Sequence, residues 1–187
     1  MLGTGIQLRL KHEGPKGIGG STPPACTKSF LGGKMQQQLG NILELAKNEI
    51  LCFTTNGNTK IVKDKVHAVM GKGIAKEIAD AFPHVPEQLG ECLVDTGNHV
   101  YCMGVDVYRG NMYILYSFPT KLNWWEKSSF DLIEQSCKEL VEAVKAESAN
   151  YIYLTRPGCG NGQLNWEDVK PILEKYLDDR FIIVSKD

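Results

Sequence analysis

The sequence predicts an α/β fold: a three-layer α/β/α arrangement around a central mixed sheet. Two observations predict it. From residue 35 onward short apolar runs alternate with amphipathic stripes of helical period, the pattern of a sheet covered by helices on both faces. Glycine-rich turns then follow strand-like runs, at the carboxyl ends where open α/β sheets take ligands.

Each element has its own signal. Met35 to Leu39 reads as a first strand, and Ile50 to Thr55 as a compact second one ending at the turn dipeptide Asn56-Gly57. Gly73 to Phe82 reads as a helix, because Ile74, Ile78 and Phe82 recur every four residues with Ala75 and Ala79 beside them. Val100 to Val107 and Met112 to Phe118 flank Tyr108-Arg109-Gly110-Asn111, a hairpin. A long helix starts at Ser128 or Ser129, where Ser128-x-x-Asp131 has the form of a capping box, and it carries Ile133, Cys137, Leu140, Val141 and Val144 on one face. Tyr151 to Thr155 is the next strand. A helix over Val169 to Leu177 and a strand over Phe181 to Ser185 close the chain. Pro171 fits only the first turn of that helix, so Asp168 is its expected cap.

Composition bounds the class. A chain of 187 residues suits one domain with a real core, and a net charge of −1 gives no global footprint for nucleic acid. Residues 1–34 hold eight of the nineteen glycines and three of the eight prolines, and read as a flexible extension before a domain over 35–187. The six cysteines are widely spread, without zinc spacing, and read as reduced thiols; no metal or cofactor is called for. No apolar run has the length of a membrane span, and the N-terminus lacks a signal peptide's apolar core. These features suit a cytoplasmic monomer of bacterial or phage origin. His67, His84 and His99 read as surface or loop residues, and Lys60, Lys63 and Lys65 either as a solvated face or as part of a loop that reshapes a neighbouring site.

The chemistry concentrates in two loops. Met70-Gly71-Lys72-Gly73-Ile74-Ala75 leads into a helix, and Gly158-Cys159-Gly160-Asn161-Gly162 follows a strand. Glycine lets backbone N–H groups approach an anion without a Cβ in the way, and a helix N-terminus adds its positive dipole end. Two such loops suit a diphosphate held from both sides. Pro119-Thr120-Lys121, at the end of another strand, sets an amine at the rim of the same cleft. Trp124 and Trp125 either line that cleft or serve as packing.

These motifs, in this order, resemble a macrodomain, the ADP-ribose-binding α/β/α module. Five elements carry the resemblance across residues 35–186: Gly40-Asn41-Ile42-Leu43-Glu44, Thr55-Asn56-Gly57, Met70 to Ala75, Pro119-Thr120-Lys121 with Trp124 and Ser128, and Gly158 to Gly162 running on to Leu164-Asn165-Trp166. The Thr-Lys and Gly-Cys-Gly elements are most similar to the branch containing terminal ADP-ribose glycohydrolase and the antitoxin that strips ADP-ribose from DNA. The resemblance implies ligand contacts at Asn41 and Ile42, at Asn56 beside the distal ribose, at Met70, Gly71, Gly73 and Ile74 in the first loop, at Thr120, and at Gly158, Cys159, Gly160, Asn161 and Gly162 in the second. It implies catalysis by Lys121, attacking or stabilising the opened anomeric carbon, with Asn56 in support.

Two departures stand out. Asn41 occupies a place where family members carry an acidic acceptor for the adenine amino group. The second loop lacks the carboxylate that one relative uses as a catalytic partner. The expected function is binding of ADP-ribose and its hydrolytic removal from a modified macromolecule or small derivative, with nucleic acid entering only as a modified substrate. Two other readings stay open: a phosphatase acting on ADP-ribose 1″-phosphate, and a non-catalytic module that reads or sequesters such nucleotides.

Overall fold

A computed structural model of the protein describes residues 33–186. The flexible extension expected over 1–34 lies outside the described residues except for its last two positions. Six strands form one sheet in the order β1 (Gln36–Leu39), β8 (Phe181–Ser185), β7 (Ile152–Thr155), β2 (Ile50–Asn56), β6 (Asn111–Lys121) and β5 (Cys102–Tyr108). Neighbours pair in parallel from β1 through β6, and β5 closes the edge antiparallel to β6. The sheet is therefore mixed, as the sequence predicts.

Alternation within each strand feeds two cores. On β2, Leu51 and Phe53 face the layer made by α1 (Ile42–Leu45), α2 (Gly73–Ala81) and α3 (Val85–Thr96), packing with Ile42, Ile78, Val85 and Leu89. Ile50 and Cys52 face the other way. They meet α4 (Phe130–Ala143) and α5 (Trp166–Tyr176) through Ile133, Cys137, Leu140, Val169 and Leu173. The β5–β6 hairpin turns at Arg109 and Gly110, both at positive φ (49° and 76°), the two-residue turn that matches strand twist.

Several elements differ from the sequence reading. The lysine-rich stretch after Asn58 is a hairpin, β3 (Thr59–Val62) and β4 (Lys65–Ala68), forming a separate two-stranded sheet. Its turn residues Lys63 and Asp64 sit at φ 49° and 63° without a glycine to announce them. Helix α3 was not predicted, since Pro86 and Gly90 both weaken a helical reading. Pro86 falls in its first turn, where no N–H is required, and Gly90 lets the helix lie directly on β4: a Cβ there would come within 2.7 Å of His67 Cα.

The third is a correction at α5, which begins three residues before the expected start. Asn165, not Asp168, is the cap, its side chain accepting from the Glu167 N–H at 3.4 Å. Pro171 thus stands inside the helix, one turn deeper than expected. At α4 the cap is Ser129, which accepts from Leu132 N–H. Strand β6 also runs three residues beyond the predicted apolar stretch, through Pro119, where its register with β2 shifts at Thr55/Asn56.

Candidate functional site

All five parallel strands end at one cleft of about 840 Å³. β2 contributes Thr54, Thr55 and Asn56, and β6 contributes Thr120 and Lys121. From β7 come Thr155 and Arg156, from β8 Ser185 and Lys186. The two glycine loops form its walls.

The first loop ends in an open helix terminus. Lys72 is the N-cap of α2 but makes no side-chain cap, so the first N–H groups of the helix remain available beside the cleft. Gly73 holds φ 58°, and a Cβ there would lie 3.2 Å from the Asn161 amide nitrogen. The two loops thus meet at this point. In the second, Gly158 has φ 75°, and its carbonyl accepts from Leu164 N–H at 2.9 Å. Gly162 lies directly against Ser128 Oγ and the Gly158 carbonyl, leaving no space for a side chain. Around Gly160, by contrast, nothing stands within 4 Å of a Cβ position.

Lys121 sits between these walls. It is 9% exposed, and its Nζ donates to the Asn161 carbonyl at 2.7 Å and the Trp124 carbonyl at 3.4 Å. No carboxylate among the described residues pairs with it. Burial, and secondarily the charge of Lys72, lower its pKa from the ordinary lysine value. The one carboxylate among the lining residues, Glu77, is engaged by Lys186 at 2.8 Å. Cys159 is a poor nucleophile here: burial pushes its thiol up to about 11, and Arg156 only partly opposes this.

The other sequence-derived positions divide. Ile42, Asn56, Gly71, Gly73, Ile74, Thr120 and the whole of Gly158 to Gly162 line the cleft. Asn56 is held at both ends: its Nδ2 donates to the Val69 carbonyl at 2.9 Å and its Oδ1 accepts from Asn58 N–H at 3.0 Å. It ties the end of β2 to the first loop. The Met70 side chain is buried in the core, so only its backbone belongs to the loop. Asn41 is exposed, outside the cleft lining, and its Oδ1 accepts from Leu43 N–H at 2.9 Å as the cap of α1. Sequence reasoning missed Arg156, Lys186 and Glu77. Arg156 lies over the Trp166 ring at 5.1 Å, at the end of β7, a place that the carboxyl-end rule points to once strand order is known.

The same architecture occurs in solved proteins. The macrodomain of Thermus aquaticus DarG superposes with a TM-score of 0.61 at 28% identity, covering 83% of this chain and all of that one. The chain has the macrodomain fold. Thermosipho africanus DarTG in complex with ADP-ribose gives a TM-score of 0.64 at 23% identity, over 83% of this macrodomain and 44% of that chain. A Thermus aquaticus DNA ADP-ribosyl glycohydrolase is 31% identical over 144 residues, which are 74% of this chain and 36% of that protein. This macrodomain spans about a third of the length of the curated relatives it matches. No protein-family model matches it.

Proposed function

We propose that this macrodomain binds ADP-ribose in the cleft and removes it hydrolytically from a modified macromolecule, with ADP-ribosylated DNA as the substrate class. The observation that carries the reading is Lys121: a buried amine without a carboxylate partner among the described residues, its pKa lowered, standing between two loops suited to a diphosphate. The relative named DNA ADP-ribosyl glycohydrolase supports DNA as the carrier.

In this reading the α2 terminus and the second loop hold the diphosphate, and Asn56 keeps the first loop in position. Lys121, once neutral, directs its lone pair at the anomeric carbon of the distal ribose. The bond from that carbon to the modified group breaks, and its electron pair leaves with the group. The adduct opens its ribose ring to an iminium, which water hydrolyses to ADP-ribose and the free amine. The deprotonated form is needed for attack, and burial together with Lys72 favours it. A carboxylate base is not required at the attacking atom.

A panel of ADP-ribosylated DNA and protein, assayed for released ADP-ribose, tests the reading. Borohydride added during turnover traps the iminium as a covalent Lys121 adduct visible by mass spectrometry. Release of inorganic phosphate from ADP-ribose 1″-phosphate, without release from either polymer, favours the phosphatase. Tight binding of ADP-ribose without any turnover favours a reader.

A further inference from the structure

Immediately past Lys121 the chain presents a surface that a free nucleotide does not need. Trp124 and Trp125 are 53% and 60% exposed, with ring centroids 5.5 Å apart and planes at 90°. Neither serves as core packing. Trp124 lines the cleft, while Trp125 lies outside it. Two large aromatic faces left in water are costly unless something covers them, since each ring carries roughly 150–250 Å² of buriable surface.

The loop that carries them is braced. Asn58, at the foot of the β3–β4 hairpin, accepts from Trp124 N–H at 2.8 Å and donates to Asn123 Oδ1 at 2.9 Å. Glu126 holds Asn123 from the other side through its backbone N–H and its Nδ2, at 3.2 and 3.0 Å. Both rings are therefore offered from a fixed backbone.

The charge next to them in sequence is mixed: Glu126 follows Trp125 directly and Lys127 follows Glu126. Lys72 stands in the cleft lining, Lys127 is two residues beyond Trp125, and Lys60 is two residues beyond Asn58; among the described residues none has an acidic partner within ion-pair distance. Glu126 is occupied by Asn123. Lys72, in the same cleft lining as Trp124, and Lys127, two residues from Trp125, are thus cations without an acidic partner among the described residues. Aromatic faces interleaved with cations are what an unpaired polynucleotide binds: bases stack on the rings and phosphates meet the lysines. A duplex keeps its base faces covered, so the segment must be single-stranded.

We infer that Trp124 and Trp125 form a stacking subsite for a nucleobase flanking the ADP-ribosylated nucleotide of a single-stranded nucleic acid, with Lys60, Lys72 and Lys127 facing its phosphates. The inference rests on the proposed binding of ADP-ribose in the adjacent cleft. It makes this surface, rather than the cleft, the element that selects the polymer.

The test titrates Lys121→Ala protein, so that bound substrate persists, with free ADP-ribose, with an ADP-ribosylated single-stranded DNA oligonucleotide, and with an ADP-ribosylated peptide. The oligonucleotide is expected to bind at least about tenfold more tightly than free ADP-ribose, within the range of one or two stacked bases. Trp125→Ala should abolish that gain, Trp125→Phe should restore most of it, and free ADP-ribose should bind all three proteins alike. Equal affinity for oligonucleotide and free ADP-ribose overturns the inference while leaving the proposed function standing. So does a gain that survives Trp125→Ala, or one that the peptide shows equally. Failure of free ADP-ribose to bind would instead remove the reading on which the inference rests.

Discussion

At the scale of single residues, the catalytic role proposed for Lys121 is what distinguishes an enzyme from a reader. Lys121→Ala should lower ADP-ribose release from a competent substrate by at least about a hundredfold while changing affinity for free ADP-ribose far less, because the proposed diphosphate contacts come from the two loops. Lys121→Arg should fail equally, since a guanidinium stays charged and offers no lone pair; single-turnover kinetics of both variants check this. The pH dependence has a definite sign. The folded-state pKa lies below the ordinary lysine value, so the neutral fraction grows as pH rises toward it, and the rate of the chemical step should climb by up to about tenfold per pH unit before levelling off below pH 10.5. A rate of the chemical step that falls as pH rises toward the ordinary lysine value would remove the nucleophilic role. The position of Lys121 was legible as a strand followed by Thr-Lys, whereas its partners were not: Asn161 offers its backbone carbonyl, which no residue type announces. Asn41 shows the converse, a side chain whose family place suggests a ligand contact but whose oxygen caps α1.

At the scale of elements, the strands and the helices with clean apolar stripes were legible because burial on one face writes its period into the sequence. The β3–β4 hairpin was not, since Lys63 and Asp64 adopt positive φ without glycine, and its strands, exposed or half-exposed at every position but Ala68, carry no strong alternation. Helix α3 was hidden by Gly90, whose reason for being glycine is a long-range contact. Gly90→Ala should press a methyl group into the backbone at His67 and lower stability by about 1–3 kcal/mol, the usual cost of overpacking, read from the urea midpoint. The second loop makes the opposite case. Gly160 has open space at its Cβ, so Gly160→Glu should fold normally, with native far-ultraviolet circular dichroism, and yet lose ADP-ribose affinity because a carboxylate then faces the diphosphate. Retained affinity in a folded Gly160→Glu protein would show that the loop does not meet the phosphates.

At the scale of the whole molecule, one sheet with five parallel strands ending together explains why residues distant in sequence share a cleft. Sequence order alone could not show that β2 lies between β7 and β6, and that central place is what brings Asn56, Lys121 and Arg156 to the same cavity. Ligand at about 100 times its dissociation constant should raise stability by roughly 2.7 kcal/mol. At equal concentration AMP, lacking the second phosphate and distal ribose, should shift the thermal midpoint much less than ADP-ribose; equal shifts would argue against a cleft built for the whole dinucleotide-like ligand. The proposed reaction is removal of ADP-ribose from DNA. It is measured by mass spectrometry of an ADP-ribosylated single-stranded oligonucleotide incubated with the protein: unmodified oligonucleotide and free ADP-ribose are expected in equal amounts, and an oligonucleotide that binds but keeps its ADP-ribose would refute the reaction.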